Sequence, residues 1–170
     1  MGGEPAELAL VRRFWAQYQA RNWSAAQALL HPQAVCKWWA TAERFDGAAA
    51  IVHVNAVYPE GWTIHLLELN GLSVPSGLDS QGGAVRAAAG ASESRRVHSL
   101  VRVEQGGQAF YANSFFSLAQ GLIRAIDEYW ADTQPAPAWR LTGDLPGASA
   151  LGTDVRAGLS LELDAPPDLP

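Results

Sequence analysis

Apolar residues recur at helical spacing in the first part of the chain, as they do in amphipathic helices. In the first such segment Leu8, Val11, Trp15 and Tyr18 recur at the spacing of one helix face, and Pro5 suits the first helical turn. Asn22 can cap the second segment with its side-chain oxygen. The segments predicted to be helical are Pro5 to Arg21, Trp23 to Leu30 and Gly47 to Val57.

Alternating apolar and polar positions dominate the following residues and are typical of strands with one buried face. The turns Gln105-Gly106-Gly107 and Ala119-Gln120-Gly121 join consecutive strands, because glycine accepts the positive φ of a tight hairpin. The predicted extended segments are Ala34 to Ala40, Arg44-Phe45, Gly61 to Leu69, Arg95 to Glu104, Gln108 to Leu118 and Leu122 to Trp130. Helices followed by closely connected strands predict an α+β fold, with an antiparallel sheet curling against the helices.

The chain divides by composition into one domain and a tail. Residues 1–132 form the predicted domain, interrupted by a long loop over 73–94 that is rich in Gly, Ala and Ser. Six of the ten prolines lie in the tail, residues 133–170. We expect the tail to be partly docked through Trp139-Arg140-Leu141, because an exposed indole is unfavourable.

Charge and cysteine content narrow the class of protein. The net charge of -5 leaves too few clustered Lys and Arg residues for a nucleic-acid footprint, so no nucleic-acid partner is expected. No apolar stretch approaches the length of a membrane helix and no signal peptide is evident, so no membrane association is expected. The single cysteine, Cys36, excludes an intrachain disulfide and fits a reducing cytoplasm.

Several short motifs, taken in order between about Glu7 and Asp132, resemble the nuclear transport factor 2-like superfamily, and within it the SnoaL-like group. The motifs that carry this resemblance are Phe14-Trp15, Arg44-Phe45-Asp46-Gly47, Ala50-Ile51, Ser114-Phe115-Phe116, Gly121-Leu122-Ile123 and Glu128-Tyr129-Trp130.

The resemblance implies a cone-shaped α+β fold, in which a curved antiparallel or mixed sheet wraps around about three N-terminal helices. It also implies a deep pocket at the wide end and a homodimer formed through the outer face of the sheet. The superfamily includes ketosteroid isomerases, polyketide cyclases, dehydratases, epoxide hydrolases and proteins without chemistry, so the fold does not determine the function.

Glu128 is the first candidate for chemistry. In related hydrolases and isomerases an acidic residue near this position of the last strand faces the cavity. Alternation places Glu128 on one face with Ile126 and Trp130, and a carboxyl group in such an apolar setting has a raised pKa that suits a general acid or base. The alternative is an ion pair with Arg102 or Arg124.

His98 is the second candidate, because a neutral imidazole could work with Glu128 as the other acid or base. The alternative is a histidine satisfied by backbone or solvent. No pair of His or Cys residues has zinc-ligand spacing, and no glycine-rich loop matches a phosphate or dinucleotide motif. We therefore expect neither a metal nor a cofactor.

Aromatic residues in and beside the predicted strands are candidates for a cavity wall that would suit a flat apolar ligand. Trp38 and Trp39 must face opposite sides of a regular strand, and Trp38 is the one expected to face the pocket. Asn113 could orient a polar group of the ligand. The predicted pocket residues are Trp38, Tyr58, Trp62, Asn113, Ile126 and Trp130.

Three hypotheses of function follow. The first is a pocket that binds a small apolar or aromatic molecule without an assigned reaction. The second is a cofactor-independent isomerase, lyase or hydrolase with Glu128 as general acid or base. The third is a non-catalytic structural or partner-binding domain whose cavity is filled by its own side chains.

Overall fold

A computed structural model describes residues 3–73 and 95–140 of the chain. The order of helices and strands within these residues is the predicted one. The helices are α1 (Ala6–Gln19), α2 (Trp23–Ala28) and α3 (Ala48–Ala56). The strands are β1 (Leu30–Trp38), β2 (Glu43–Asp46), β3 (Trp62–Leu72), β4 (Arg95–Gln105), β5 (Gln108–Ala119) and β6 (Leu122–Asp132). A single turn of 3-10 helix follows at Ala138–Arg140.

The six strands form one mixed sheet in the order β2-β1-β6-β5-β4-β3. Strands β1 and β6 run parallel, and all other neighbouring strands pair antiparallel. The helices pack on one face of this sheet, with α1 against β3 and β4 and with α3 against β1. The predicted α+β class, with a mixed sheet around three helices, is confirmed.

The core lies between α1 and the inner face of the sheet. Phe14 of α1 meets Phe116 of β5 edge to face, with ring centroids 5.7 Å apart. The neighbouring Trp15 donates its indole N–H to the Ser99 hydroxyl of β4 at 3.0 Å, and both residues are buried. Burial of these rings, together with a satisfied polar pair, fixes the position of α1 on the sheet.

The boundary between α2 and β1 differs from the prediction. Asn22 caps α2 as expected, since its Oδ1 accepts from the Ala25 amide at 3.3 Å. However, the helix ends at Ala28, and β1 already begins at Leu30. Strand β1 includes Pro32, which lies where the register with β6 is interrupted. Proline is tolerated there because it has no N–H to donate to a regular ladder.

Strand β6 contains an irregularity that sets the direction of every later side chain. Leu118 pairs with Ile123, whereas Ser117 pairs with Ala125, so Arg124 is an extra residue on β6. Such a bulge reverses the faces of the residues that follow, because side chains alternate strictly along a strand. Ile123 and Ile126 are therefore both buried although three positions separate them.

The predicted 73–94 loop lies outside the described residues except for Ser73, and most of the predicted tail lies outside them as well. Trp139 is 66% exposed, so this indole is not buried against the described part of the chain. Docking of the remainder of the tail stays a prediction. Among the described residues, no helix has both the length and the apolar character needed to cross a bilayer.

Candidate functional site

Glu128 lies on the inner face of the sheet and is only 5% exposed. Three side chains donate hydrogen bonds to its carboxylate. The Trp38 indole on β1 donates to Oε2 at 2.7 Å, the Trp130 indole donates to the same oxygen at 3.2 Å, and the Ser114 hydroxyl on β5 donates to Oε1 at 2.8 Å. An indole N–H can only donate, so a carboxylate is a well-matched acceptor for two of them.

Strand register explains how these donors reach one carboxylate. Glu128 is directly opposite Trp38 on one neighbouring strand and directly opposite Ser114 on the other. Trp130 follows two positions later on β6 and therefore points to the same face. The ion pair with Arg102 or Arg124, considered as the alternative, is not formed: Arg102 pairs with Glu104, and Arg124 hydrogen-bonds to β1.

Burial raises the pKa of the Glu128 carboxyl, and the hydrogen bonds from Ser114, Trp38 and Trp130 oppose that rise. The pKa values of two neighbouring groups, Cys36 and Tyr18, are raised in the same surroundings. Burial and the Glu128 charge raise the pKa of the Cys36 thiol, whose sulfur lies 4.0 Å from Oε2. Burial raises the pKa of the Tyr18 phenol, and Glu128 adds to the effect. All three pKa values are raised because burial removes these groups from bulk water.

An aromatic cavity of about 240 Å³ lies next to this carboxylate. Its wall is apolar apart from a few side chains, and residues of α1, of α3 and of all six strands, or of the turns beside them, contribute to it. The lining residues are Trp15, Tyr18, Trp38, Ala40, Thr41, Glu43, Asn55, Tyr58, Trp62, Ile64, Val103, Phe110 and Trp130. Ala40, Thr41, Glu43 and Tyr58 are exposed, so the mouth of the cavity lies beside them.

Glu128 is not part of this lining. Its carboxylate lies behind the indoles of Trp38 and Trp130, which line the cavity and donate to it. A separate inner void of about 10 Å³ touches Glu128, and it shares Trp15, Tyr18, Asn55 and Trp130 with the aromatic cavity wall. The volume of this void corresponds to about one water molecule.

The structure places most of the predicted pocket residues around these two spaces. Trp38, Tyr58, Trp62 and Trp130 line the aromatic cavity, and Ile126 lines the inner void. Two predicted polar residues, His98 and Asn113, line neither space. His98 and Asn113 lie on the outer face of the sheet, where His98 Nε2 is 3.0 Å from Asn113 Oδ1.

The bulge at Arg124 explains why His98 and Asn113 do not meet Glu128. If the hairpin between β5 and β6 kept the register of its turn, Asn113 would be opposite Glu128 and would share its face. The extra residue instead places Ser114 opposite Glu128 and turns the carboxylate inward. The expected pair of Glu128 and His98 is therefore separated by the sheet.

Two lining residues from α1, Trp15 and Tyr18, were assigned from the sequence only to the packing face of the helix. The signal in the sequence that could have revealed them as cavity-lining residues is that both side chains are large and carry a polar atom. Trp15 uses its N–H on Ser99, while the Tyr18 hydroxyl lies 3.5 Å from both the Ile51 carbonyl and the Asn55 amide nitrogen.

The outer face carries a hydrogen bond between an indole and a carboxylate, like the buried one between Trp38 and Glu128. The Trp39 indole donates to Asp127 Oδ1 at 3.0 Å, and Trp39 stacks on Tyr129 with ring centroids 6.2 Å apart. Trp38 and Trp39 thus face opposite sides of the sheet, each bonded to one of two consecutive acids on β6. Trp39 and Tyr129 are both about half exposed, at 51% and 48%.

Candidate metal ligands do not cluster in this part of the chain. Within 3–73 and 95–140, no three His, Cys, Asp or Glu side chains are placed to hold a metal ion together.

Comparison with known proteins yields structural neighbours only. No protein-family model matches the chain, and no curated protein matches it. A proposed ketosteroid isomerase from Kribbella flavida is similar in structure, with a TM-score of 0.63 and 18% identity over 92% of this chain and 94% of that one. An NTF2-like protein of unknown function from Burkholderia xenovorans has a TM-score of 0.54 and 16% identity, over 85% and 94% of the two chains.

A third neighbour is a proposed polyketide cyclase from Pseudomonas putida, with a TM-score of 0.51 and 18% identity over 76% of this chain and 93% of that one. Structural similarity at identities this low shows the fold alone, and function must be argued from the site. The chain therefore has the fold of the nuclear transport factor 2-like superfamily, which confirms at the level of the fold the resemblance seen in its sequence.

Proposed function

We propose that the aromatic cavity binds a small apolar or aromatic molecule, as expected of a SnoaL-like pocket protein. The observation that carries this proposal is a hollow of about 240 Å³ whose wall is built mainly from aromatic rings. Small-molecule sites are typically concave and apolar, with few polar groups. A domain that only supported a partner would be expected to fill such a space with its own side chains.

Filling the cavity tests this proposal. Val103→Phe adds a ring to a lining position, whereas Val57→Phe makes the same change at a residue that is 62% exposed and not part of the lining. We expect the affinity for the neutral probe N-phenyl-1-naphthylamine to fall by about tenfold or more in Val103→Phe, because the added ring occupies ligand space. The affinity of Val57→Phe should equal that of the unchanged chain.

Circular dichroism shows whether each variant is folded. Probe binding that Val103→Phe leaves unchanged, or no binding by the unchanged chain, would contradict the proposal. Native mass spectrometry of the purified protein is a second measurement, since a co-purified molecule would identify the chemical class directly.

A second candidate function is proton transfer by Glu128, in an isomerase, lyase or hydrolase that needs no cofactor. The observation that favours it is the inner void beside the carboxylate, which shares four lining residues, Tyr18 and Asn55 among them, with the aromatic cavity. One water molecule there could relay a proton between Glu128 and a ligand. A raised pKa would bring the carboxyl group closer to the range that suits proton transfer near neutral pH.

Deuterium exchange at the acidic carbon positions of 2-tetralone, followed by NMR in heavy water, tests this second candidate. We expect the unchanged chain and Asp127→Asn to accelerate the exchange, and Glu128→Gln to lose the acceleration by about a hundredfold or more. Equal rates in Glu128→Gln and the unchanged chain would exclude Glu128 as the base for this class of ligand.

A further inference from the structure

The lining of the aromatic cavity carries a negatively charged side chain and no positively charged one. Seven of its residues are aromatic, one is the carboxylate Glu43, and none is Lys, Arg or His. A second carboxylate, Glu128, lies one layer behind the wall. A ligand in this cavity therefore meets ring faces and negative charge. An anion would find no opposite charge among the described lining residues.

The two indoles that contact Glu128 are polarised by it. Trp38 and Trp130 each donate their N–H to the same carboxylate oxygen, at 2.7 and 3.2 Å. Donation to an anion moves electron density towards the ring, and the face of an electron-rich indole attracts cations most strongly among aromatic side chains. The two rings meet at 72° with centroids 6.2 Å apart, so they form a corner of the wall.

A cation stacked on one ring of the wall does not cancel this effect. Arg21 lies 3.3 Å from the ring centroid of Trp62, another lining residue, but Arg21 itself is not part of the lining. Its guanidinium pairs with Glu60 at 3.0 Å and donates to the Trp62 carbonyl oxygen at 2.7 Å. The positive charge of Arg21 is therefore balanced by Glu60, and neither residue belongs to the lining, whose one charged residue is Glu43.

We infer that the molecule taken by the aromatic cavity is an organic cation, an ammonium group that carries apolar or aromatic substituents. The inference rests on the proposed ligand-binding function and adds the charge of the ligand to it. Its apolar substituents would contact the rings, and its charge would lie against the faces of Trp38 and Trp130.

A pair of isosteric probes tests the inference separately from the proposed function. Phenyltrimethylammonium and tert-butylbenzene have the same shape, and only the first is charged, at every pH. We expect calorimetry or tryptophan quenching at about pH 9 to show that the cation binds at least about tenfold more tightly than tert-butylbenzene. A difference of this size is expected for a desolvated cation–π contact. Equal affinities, or preference for tert-butylbenzene, would overturn the inference and leave the ligand-binding function intact. If neither probe bound, both would be overturned.

Two matched substitutions locate the source of the preference. Glu128→Gln and Asp127→Asn each remove one negative charge from consecutive positions of β6, but only the first changes a group bonded to the cavity wall. Glutamine can keep the geometry, with its oxygen accepting from both indoles and its amide donating to Ser114. We expect Glu128→Gln to lose about tenfold in affinity for the cation and none for tert-butylbenzene. Equal losses in both variants would overturn the role of Glu128.

Discussion

Glu128 is a buried acid whose three hydrogen bonds do not fully offset its removal from water. Burial raises its pKa in the folded protein above the value in the unfolded chain. For an acid with a raised pKa, the folded state binds the proton more tightly than the unfolded state. Stability is then highest below the unfolded pKa, falls as the pH rises through the folded pKa, and is lowest above it.

We predict that Glu128→Gln removes this loss of stability. Its free energy of unfolding relative to the unchanged chain should increase from about pH 4.5 upward, by at most about 1.4 kcal/mol per pH unit. Urea unfolding followed by tryptophan fluorescence at a series of pH values measures the difference. Asp127→Asn is the control, and a difference that stayed flat or decreased with pH would contradict the prediction.

The Trp38 hydrogen bond is predicted to hold the pKa of Glu128 below the value that burial alone would produce. In Trp38→Phe the pKa of Glu128 should rise further, and the protein should lose about 1–3 kcal/mol at neutral pH, because a hydrogen bond to a charged group is lost. Carbon-13 NMR of the glutamate carboxyls measures the titration. Trp39→Phe removes the equivalent bond to Asp127 and should leave the Glu128 titration unchanged.

At the scale of elements, the junction before α3 depends on one glycine. Gly47 has φ 90° and ψ 148°, a backbone conformation that residues other than glycine rarely adopt. Its amide donates to the Ala34 carbonyl at 2.7 Å. A Cβ at this position would lie 3.4 Å from the Pro32 carbonyl oxygen. This junction brings β2 and α3 against β1.

We predict that Gly47→Ala lowers the free energy of unfolding by about 1–3 kcal/mol, the range for a residue forced into this conformation. Gly71→Ala is the matched control, because Gly71 lies in β3 without a positive φ and its added Cβ would meet only Leu8 at 4.0 Å. Chemical denaturation of both variants measures the costs. Equal costs would show that the backbone of Gly47 is not the reason for its presence.

Periodicity in the sequence was sufficient to predict the order of elements but not the register between them. Helical spacing marked Leu8, Val11 and Trp15, and alternation marked the strands. Most predicted ends of helices and strands therefore lie within a few residues of the observed ones. The face of Glu128 relative to His98 depends on pairing across three strands. The bulge at Arg124 changes that pairing by one position, and its trace in the sequence is the spacing of two apolar residues, Ile123 and Ile126, by three positions instead of two.

At the scale of the whole molecule, the cavity unites residues that are far apart in the sequence. The neighbours of Glu128 come from β1, β5 and β6, and the helix residues Trp15 and Tyr18 complete the wall. The sequence could nominate Trp38, Tyr58, Trp62 and Trp130 because aromatic residues are scarce and large. It could not indicate which rings share a hollow, because that depends on how the sheet curves around α1.

The homodimer expected from the resemblance, and a location in the cytoplasm, stay predictions. The outer face carries the stacked rings of Trp39 and Tyr129, beside the charged side chains of Lys37 and Asp127. Half-exposed aromatic rings of this kind are enriched at protein interfaces. If this face pairs with a second copy, Trp39→Glu should shift the chain from dimer to monomer in sedimentation velocity.

Tyr58→Ala, a change at the cavity mouth on a ring of similar exposure, should leave the sedimentation coefficient unchanged. Sedimentation of the unchanged chain as a monomer at all concentrations would contradict the dimer.

The extra residue in β6 has a consequence for comparing this chain with its relatives. In an alignment without gaps, an acid aligned with Glu128 faces the inner side of the sheet only in a chain that also has the bulge, whereas a chain lacking it would turn the preceding position inward. The placement of a one-residue gap near Arg124 therefore decides which of two adjacent alignment columns holds the carboxylate that faces inward. Surveys of conserved acids in this fold should sort sequences by that gap before counting them.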